Sequence, residues 1–227
     1  MSRIAQNLAL INDRVIQAAQ KCGRNPAEIQ LLGVSKKHSA DEIRSAVAAG
    51  LTQFGESYLQ EALPKISALS DLSLVWHFIG PIQSNKTRQI AEYFDWVHSV
   101  DRLKIATRLS EQRPRQLEPL NICIQINISM EDSKSGLLGE AARSFALQLT
   151  ELPRLKLRGL MAIVQKTSDP QLQRGMFSQL RELLDDLNQQ GLALDTLSMG
   201  MTNDLEAAVT EGSTILRVGT GLFGSRI

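Results

Sequence analysis

Short apolar or alternating runs take turns, eight times over, with longer segments of helical spacing, and this alternation governs what the chain can become. The runs read as strands at 30–36, 53–56, 74–79, 96–99, 121–129, 156–163, 196–198 and 215–218. Helical patterns at 40–49, 57–69, 84–93, 101–112, 138–149, 171–190 and 204–211 lie between them. Eight strands joined by seven helices is the count of a (β/α)8 TIM barrel, an α/β fold of parallel strands. A doubly wound open sheet also alternates, but eight evenly spaced units close more readily than they stay open. No eighth outer helix follows the last strand. An extra N-terminal helix over residues 3–22, with Ile4, Leu8, Ile11, Val15 and Ala18 on one face and Ser2 as its cap, is expected to cover that gap. No linker or repeat interrupts the pattern, so residues 1–227 read as a single barrel domain.

Composition narrows the function classes. The net charge of +1 argues against a dedicated nucleic-acid binder, which carries a basic excess. No apolar run approaches the ~18 residues of a membrane span. The first residues space their apolar positions and so do not read as a signal peptide. Cys22 and Cys123 form no CxxC pair, and with His38, His77 and His98 scattered no zinc spacing can be written, so no metal is expected. Two free thiols suit a reducing cytoplasm.

Barrel sites are built from strand C-termini and the loops after them, which makes the strand list a short list of candidates. The first strand ends Val34-Ser35-Lys36-Lys37. A lysine there either snorkels to the rim or, desolvated, offers a free amine that condenses with an aldehyde. Alternation puts Lys36 on one face with Val34 and Lys37 on the other, without saying which face points inward. The seventh strand runs into Ser198-Met199-Gly200-Met201-Thr202-Asn203, and the eighth into Arg217-Val218-Gly219-Thr220-Gly221. Two small-residue hydroxyl turns after strands 7 and 8 suit a phosphate, although Thr202 or Asn203 could equally be a plain helix cap. Arg217, inside an apolar strand, must face a carboxylate or an electronegative ligand atom. In the fifth strand the isoleucines take one face, and Cys123, Gln125, Asn127 and Ser129 the other, so a small polar face could wall a cavity or form a core layer. His77 reads either as a core histidine or as a ligand contact. Paired carboxylates at strand ends are missing, which leaves acid–base hydrolysis little support.

The segments Val34-Ser35-Lys36, Phe54-Gly55-Glu56, His77-Phe78-Ile79-Gly80, Gln83-Ser84-Asn85-Lys86, Gln125-Ile126-Asn127, Ser133-Lys134-Ser135-Gly136, Arg158-Gly159-Leu160-Met161, Ser198-Met199-Gly200-Met201 and Arg217-Val218-Gly219-Thr220 occur in that order. In this the chain resembles the small YggS-like family of vitamin B6 homeostasis proteins, single fold type III pyridoxal-phosphate-binding barrels akin to the N-terminal domain of alanine racemase. The resemblance runs from Leu31 to Gly224. It implies pyridoxal 5′-phosphate as cofactor and Lys36 as the residue of the internal aldimine. It also implies that Ser198, Met201, Thr202, Gly219 and Thr220 hold the phosphate, that Arg217 faces the pyridine nitrogen, and that Ser57 and His77 adjoin the cofactor. An arginine there keeps the ring nitrogen unprotonated and the ring a poor electron sink. Ser57 stands where the family has asparagine, Thr202 where it has serine, and Val164 where proline is common.

Alanine racemase needs a second β-rich domain and a tyrosine base. This chain ends just after strand 8, and its tyrosines, Tyr58 and Tyr93, fall in helical stretches. The expectation is therefore a cytoplasmic, monomeric pyridoxal-phosphate carrier or homeostasis protein that hands cofactor to acceptor enzymes, with no catalytic residue of its own. A small pyridoxal-phosphate-dependent amino-acid racemase is the competing reading. A phospho-sugar aldolase would use the amine and the anion turn, but gives Arg217 no role.

Overall fold

The structure is a computed structural model that describes residues 2–129 and 135–224. Eight parallel strands, β1 (Gln30–Val34), β2 (Gln53–Glu56), β3 (Val75–Phe78), β4 (Trp96–Val100), β5 (Leu120–Ile126), β6 (Leu155–Ala162), β7 (Thr196–Ser198) and β8 (Ile215–Val218), pair in chain order. β8 returns to β1, with Leu32 opposite Arg217, and closes the barrel. The fold is an α/β TIM barrel. Around it run α1 (Arg3–Lys21), α2 (Ala40–Ala48), α3 (Leu59–Ala68), α4 (Thr87–Tyr93), α5 (Leu103–Gln112), α6 (Gly139–Thr150), α7 (Pro170–Gln189), α8 (Leu205–Thr210) and the short α9 (Thr220–Phe223). Among the described residues, no helix is long and apolar enough to cross a membrane.

Alternation within the strands sorts side chains into two cores. Ile122, Ile124 and Ile126 face out into the apolar layer under the helices, whereas Cys123 points inward. The lumen is packed by Leu32, Trp96, Cys123, Met161 and Ile215. At the N-terminal end the Arg158 guanidinium lies over the Trp96 ring, 4.8 Å from its centroid, and pairs with Asp195 at 2.7 Å. These side chains fill the lower lumen, and the strand C-termini open at the other end.

The opening helix does cover the gap in the outer ring. Ser2 caps α1 by accepting from the Ala5 N–H, and Ile4, Leu8, Ile11, Val15 and Ala18 are all buried. The helix packs on α2, α8 and α9, and Asn7 Nδ2 donates to the Leu222 carbonyl at 2.9 Å. α9 follows β8 where no outer helix is expected, but its four residues are too few to close the ring.

Strand ends differ from the sequence expectation where the chain turns toward the mouth. β1 stops at Val34 rather than residue 36, because the Ser35 carbonyl takes the His38 N–H and Lys37 adopts φ 65°. β5 stops at Ile126 rather than residue 129. Lys134, in the segment singled out above, lies outside the described residues.

Candidate functional site

A cavity of about 610 Å³ opens at the C-terminal mouth, a volume ordinary for a small-molecule site. Val34 lines it from the end of β1 and Lys36 from the turn that follows, Ser57 from just after β2, and Met161 and Val164 from β6 and its loop. Across the mouth stand Met201, Thr202, Asn203 and Asp204 after β7, with Arg217 on β8 and Gly219, Thr220 and Gly221 after it. The inward face of β1, left open by the sequence, is the one bearing Leu32 and Lys36. Lys37 turns to solvent, its backbone N–H donating to the Glu61 carboxylate at 2.9 Å.

Behind Lys36 a buried ion pair clamps its neighbour. Ser35 Oγ donates to Glu56 Oε1 at 2.7 Å, and Lys65 Nζ donates both to that carboxylate and to the Ser35 carbonyl at 2.8 Å. Burial pushes the Glu56 carboxyl up from its ordinary pKa, opposed by the Lys65 ammonium and the Ser35 hydroxyl. On the other flank, a Cβ at Gly80 would fall 2.1 Å from the Ser57 carbonyl oxygen, so the segment after β3 approaches Ser57 closely only because residue 80 has no side chain.

The opposite rim is built from two turns that hold each other. Gly200 sits at φ 92°, where a Cβ would also meet the Ala208 methyl at 2.4 Å. The turn is then pinned by the Asp204 carboxylate, which accepts the Met201 N–H. Gly221 N–H donates to Thr202 Oγ1 at 3.2 Å and ties the second turn to the first. From outside, Arg14 of α1 grips Glu206 through two donors and reaches the Thr202 carbonyl at 2.9 Å. The short α9 closes through the Leu222 and Phe223 N–H groups, which both donate to the Gly219 carbonyl at 2.9 Å, and so presents Gly219, Thr220 and Gly221 to the cavity.

Of the sequence-predicted site residues, the fold brings Lys36, Ser57, Met201, Thr202, Arg217, Gly219 and Thr220 around the cavity. His77 and Ser198 lie a layer lower, both fully buried and not among the lining residues. There His77 Nδ1 meets His98 Nε2 at 2.8 Å, and His98 Nδ1 meets Ser198 Oγ at 2.7 Å. Arg217 Nη1 donates to that same hydroxyl at 2.7 Å and to the Ser198 carbonyl, while Nη2 donates to the Ala162 carbonyl at 2.8 Å. Burial pushes the Arg217 guanidinium down to about 10, partly offset by the Asp204 charge. Burial also pushes His77 down to about 3, and His98 well below its ordinary value, helped by the charges of His77 and Arg217. Sequence reasoning missed Lys65, His98 and Asp204, and also Lys166, which lines the cavity from the segment after β6. Only His98 left a signal, sharing the inward alternation of β4 with Trp96.

Residues 4–227 match the family model described as alanine racemase, N-terminal domain. The chain is 60% identical over 226 residues, 100% of its own length and 97% of the relative's, to a pyridoxal phosphate homeostasis protein of Pseudomonas aeruginosa. It belongs to the pyridoxal phosphate homeostasis protein family. A member from Escherichia coli K12 is 50% identical over 229 residues, covering 100% of this chain and 98% of that one. Within the solved structures, PipY of Synechococcus elongatus PCC7942, with PLP bound, superposes with a TM-score of 0.85 at 38% identity, over 98% of this chain and 100% of that chain. Alanine racemase of Clostridium difficile 630 (TM-score 0.73, 14% identity, 97% of this chain and 57% of that one) shares the barrel.

Proposed function

We propose that this chain binds pyridoxal 5′-phosphate on Lys36 and serves as a homeostasis protein rather than a fast catalyst. One observation carries the reading: an amine, a hydroxyl-and-glycine anion rim and a buried guanidinium border one cavity. That donor set fits the cofactor group by group, an aldehyde to the amine, a phosphate to the rim and a ring nitrogen to the guanidinium. When bound, the cofactor supplies an aldehyde that condenses with the Lys36 amine as a Schiff base.

The remaining work falls to the chain itself. The Glu56–Lys65 pair fixes Ser35, and so the backbone from which Lys36 projects. Thr202, Gly219 and Thr220, with Met201 beside them, would hold the phosphate, and Ser57 would border the cofactor in place of the family asparagine. Arg217 would meet the ring nitrogen and, still charged at neutral pH, would leave it unprotonated and the ring a weak electron sink. Tyr58 and Tyr93, the candidate phenolic bases, are both exposed and neither lines the cavity. The reading includes a monomer that offers its cofactor to acceptor enzymes.

Borohydride reduction of the yellow holo-protein followed by peptide mapping is expected to label Lys36, and Lys36→Ala is expected to lose both colour and label. Label on another residue would overturn the assignment. Incubation with L-amino acids in deuterated water is expected to give only slow α-proton exchange. Turnover above ~1 s⁻¹, the low end for ordinary enzymes, would establish the racemase reading instead.

A further inference from the structure

Arg217 is 5% exposed, and no carboxylate of the described residues lies within ion-pair distance of it. A buried charge without a partner is costly, so the oxygens around it must be aimed. Two of its acceptors, the Ser198 and Ala162 carbonyls, are fixed by the strand backbone. The third, the Ser198 hydroxyl, can rotate, and its other contact is His98 Nδ1.

Proton counting sets the polarity. Ser198 Oγ accepts from Arg217, which has no lone pair to offer in return, so among its contacts in the described residues His98 Nδ1 is the one able to take its single proton. His98 then carries its proton on Nε2 and donates to His77 Nδ1, and His77 carries its own on Nε2. That last atom is buried, with no hydrogen-bond partner, on a ring stacked 5.5 Å from Trp96. The opposite polarity would leave two orphans, the Ser198 proton and the His77 Nε2 lone pair. The first arrangement leaves one.

The geometry points to His77, His98 and Ser198 as a buried positioning relay that turns an oxygen lone pair onto Arg217 and holds its guanidinium toward the cavity. Its consequence for the cofactor rests on the function proposed above, whereas its proton arrangement does not. His98 and His77 are positioning residues, since neither lines the cavity.

Long-range ¹H–¹⁵N spectra of the cofactor-free protein at neutral pH are expected to show both imidazoles neutral with the proton on Nε2. A proton on His98 Nδ1 would overturn the relay. Two substitutions then separate reach from bulk. His98→Asn keeps a polar atom near the Nδ1 position, whereas His98→Gln extends toward His77 and loses the Ser198 contact. The glutamine variant is expected to bind pyridoxal 5′-phosphate roughly tenfold more weakly, with a shifted visible band, and the asparagine variant to recover most of the loss. Equal losses in both, or none in either, would refute the proposal. In an Arg217→Lys background His98→Gln should add nothing further, and additive losses would place its effect elsewhere. Should His98→Gln fail to fold, Ser198→Ala replaces it in the same cycle. If wild-type protein takes up no cofactor, the functional reading fails while the spectra still decide the relay.

Discussion

Single buried groups in this barrel carry most of its chemistry and much of its pH response. His77 and His98 are held neutral, with folded pKa values below the ordinary 6.5. As pH falls through that value the unfolded chain takes up protons that the folded chain refuses, so the stability they contribute is present above 6.5 and drains away below it. Each histidine should make the unfolding free energy fall by about 1.4 kcal/mol per pH unit in that window. Glu56, Asp95 and Asp204 are pushed up by burial and act oppositely, their contribution being lost as pH rises through their folded values. In urea titrations between pH 7 and 5, His77→Phe should make the unfolding free energy fall less steeply with acid than it does in the wild type. The Ser35 clamp gives a second expectation. Lys65→Met leaves Glu56 buried without its cation, at a cost of about 3–5 kcal/mol when the acid is ionised. Because Glu56 escapes that cost by taking a proton, the loss measured by denaturation should be larger at pH 8 than at pH 5.

At the scale of elements, α1 does more than close the outer ring, because it also braces from behind the rim proposed to hold the phosphate. The Arg14–Glu206 pair is exposed and contributes little by itself. The bond from Arg14 to the Thr202 carbonyl, however, fixes the turn that faces the cavity. Arg14→Ala is therefore expected to change stability by less than about 1 kcal/mol yet weaken cofactor binding several-fold. Chemical denaturation alongside a pyridoxal 5′-phosphate titration reads the two separately. The elements themselves were legible in the sequence because period-2 and period-3.6 patterns are local. The Ser2 cap, the stripe from Ile4 to Ala18 and the outward isoleucines of β5 all stand where the pattern puts them. The ends of β1 and β5 were not, since they are set by Ser35 and by turns that leave no periodic trace.

For the whole molecule, closure is what assembles the site, and closure is what a linear reading sees least. Lys36 and the glycine turns were legible as residue types at strand ends. The inward face of β1 became known only through the pairing of Leu32 with Arg217 across the seam between β1 and β8. The approach of His98 to Ser198 spans 100 positions and follows from register around the ring rather than from any motif. Lys65 was invisible for the same reason, lying on a helix whose patterning says only that one face is buried. The filled lumen has a further use. Cys123 is sealed in it, its thiol pushed up to about 12 by burial, while Cys22 is partly open. A maleimide should consume one equivalent promptly and the second only when the cylinder parts, so the lag between them clocks the opening of the barrel wall. Cofactor that slows the second equivalent would show that the cargo, seated at one end, fastens the staves along their whole length.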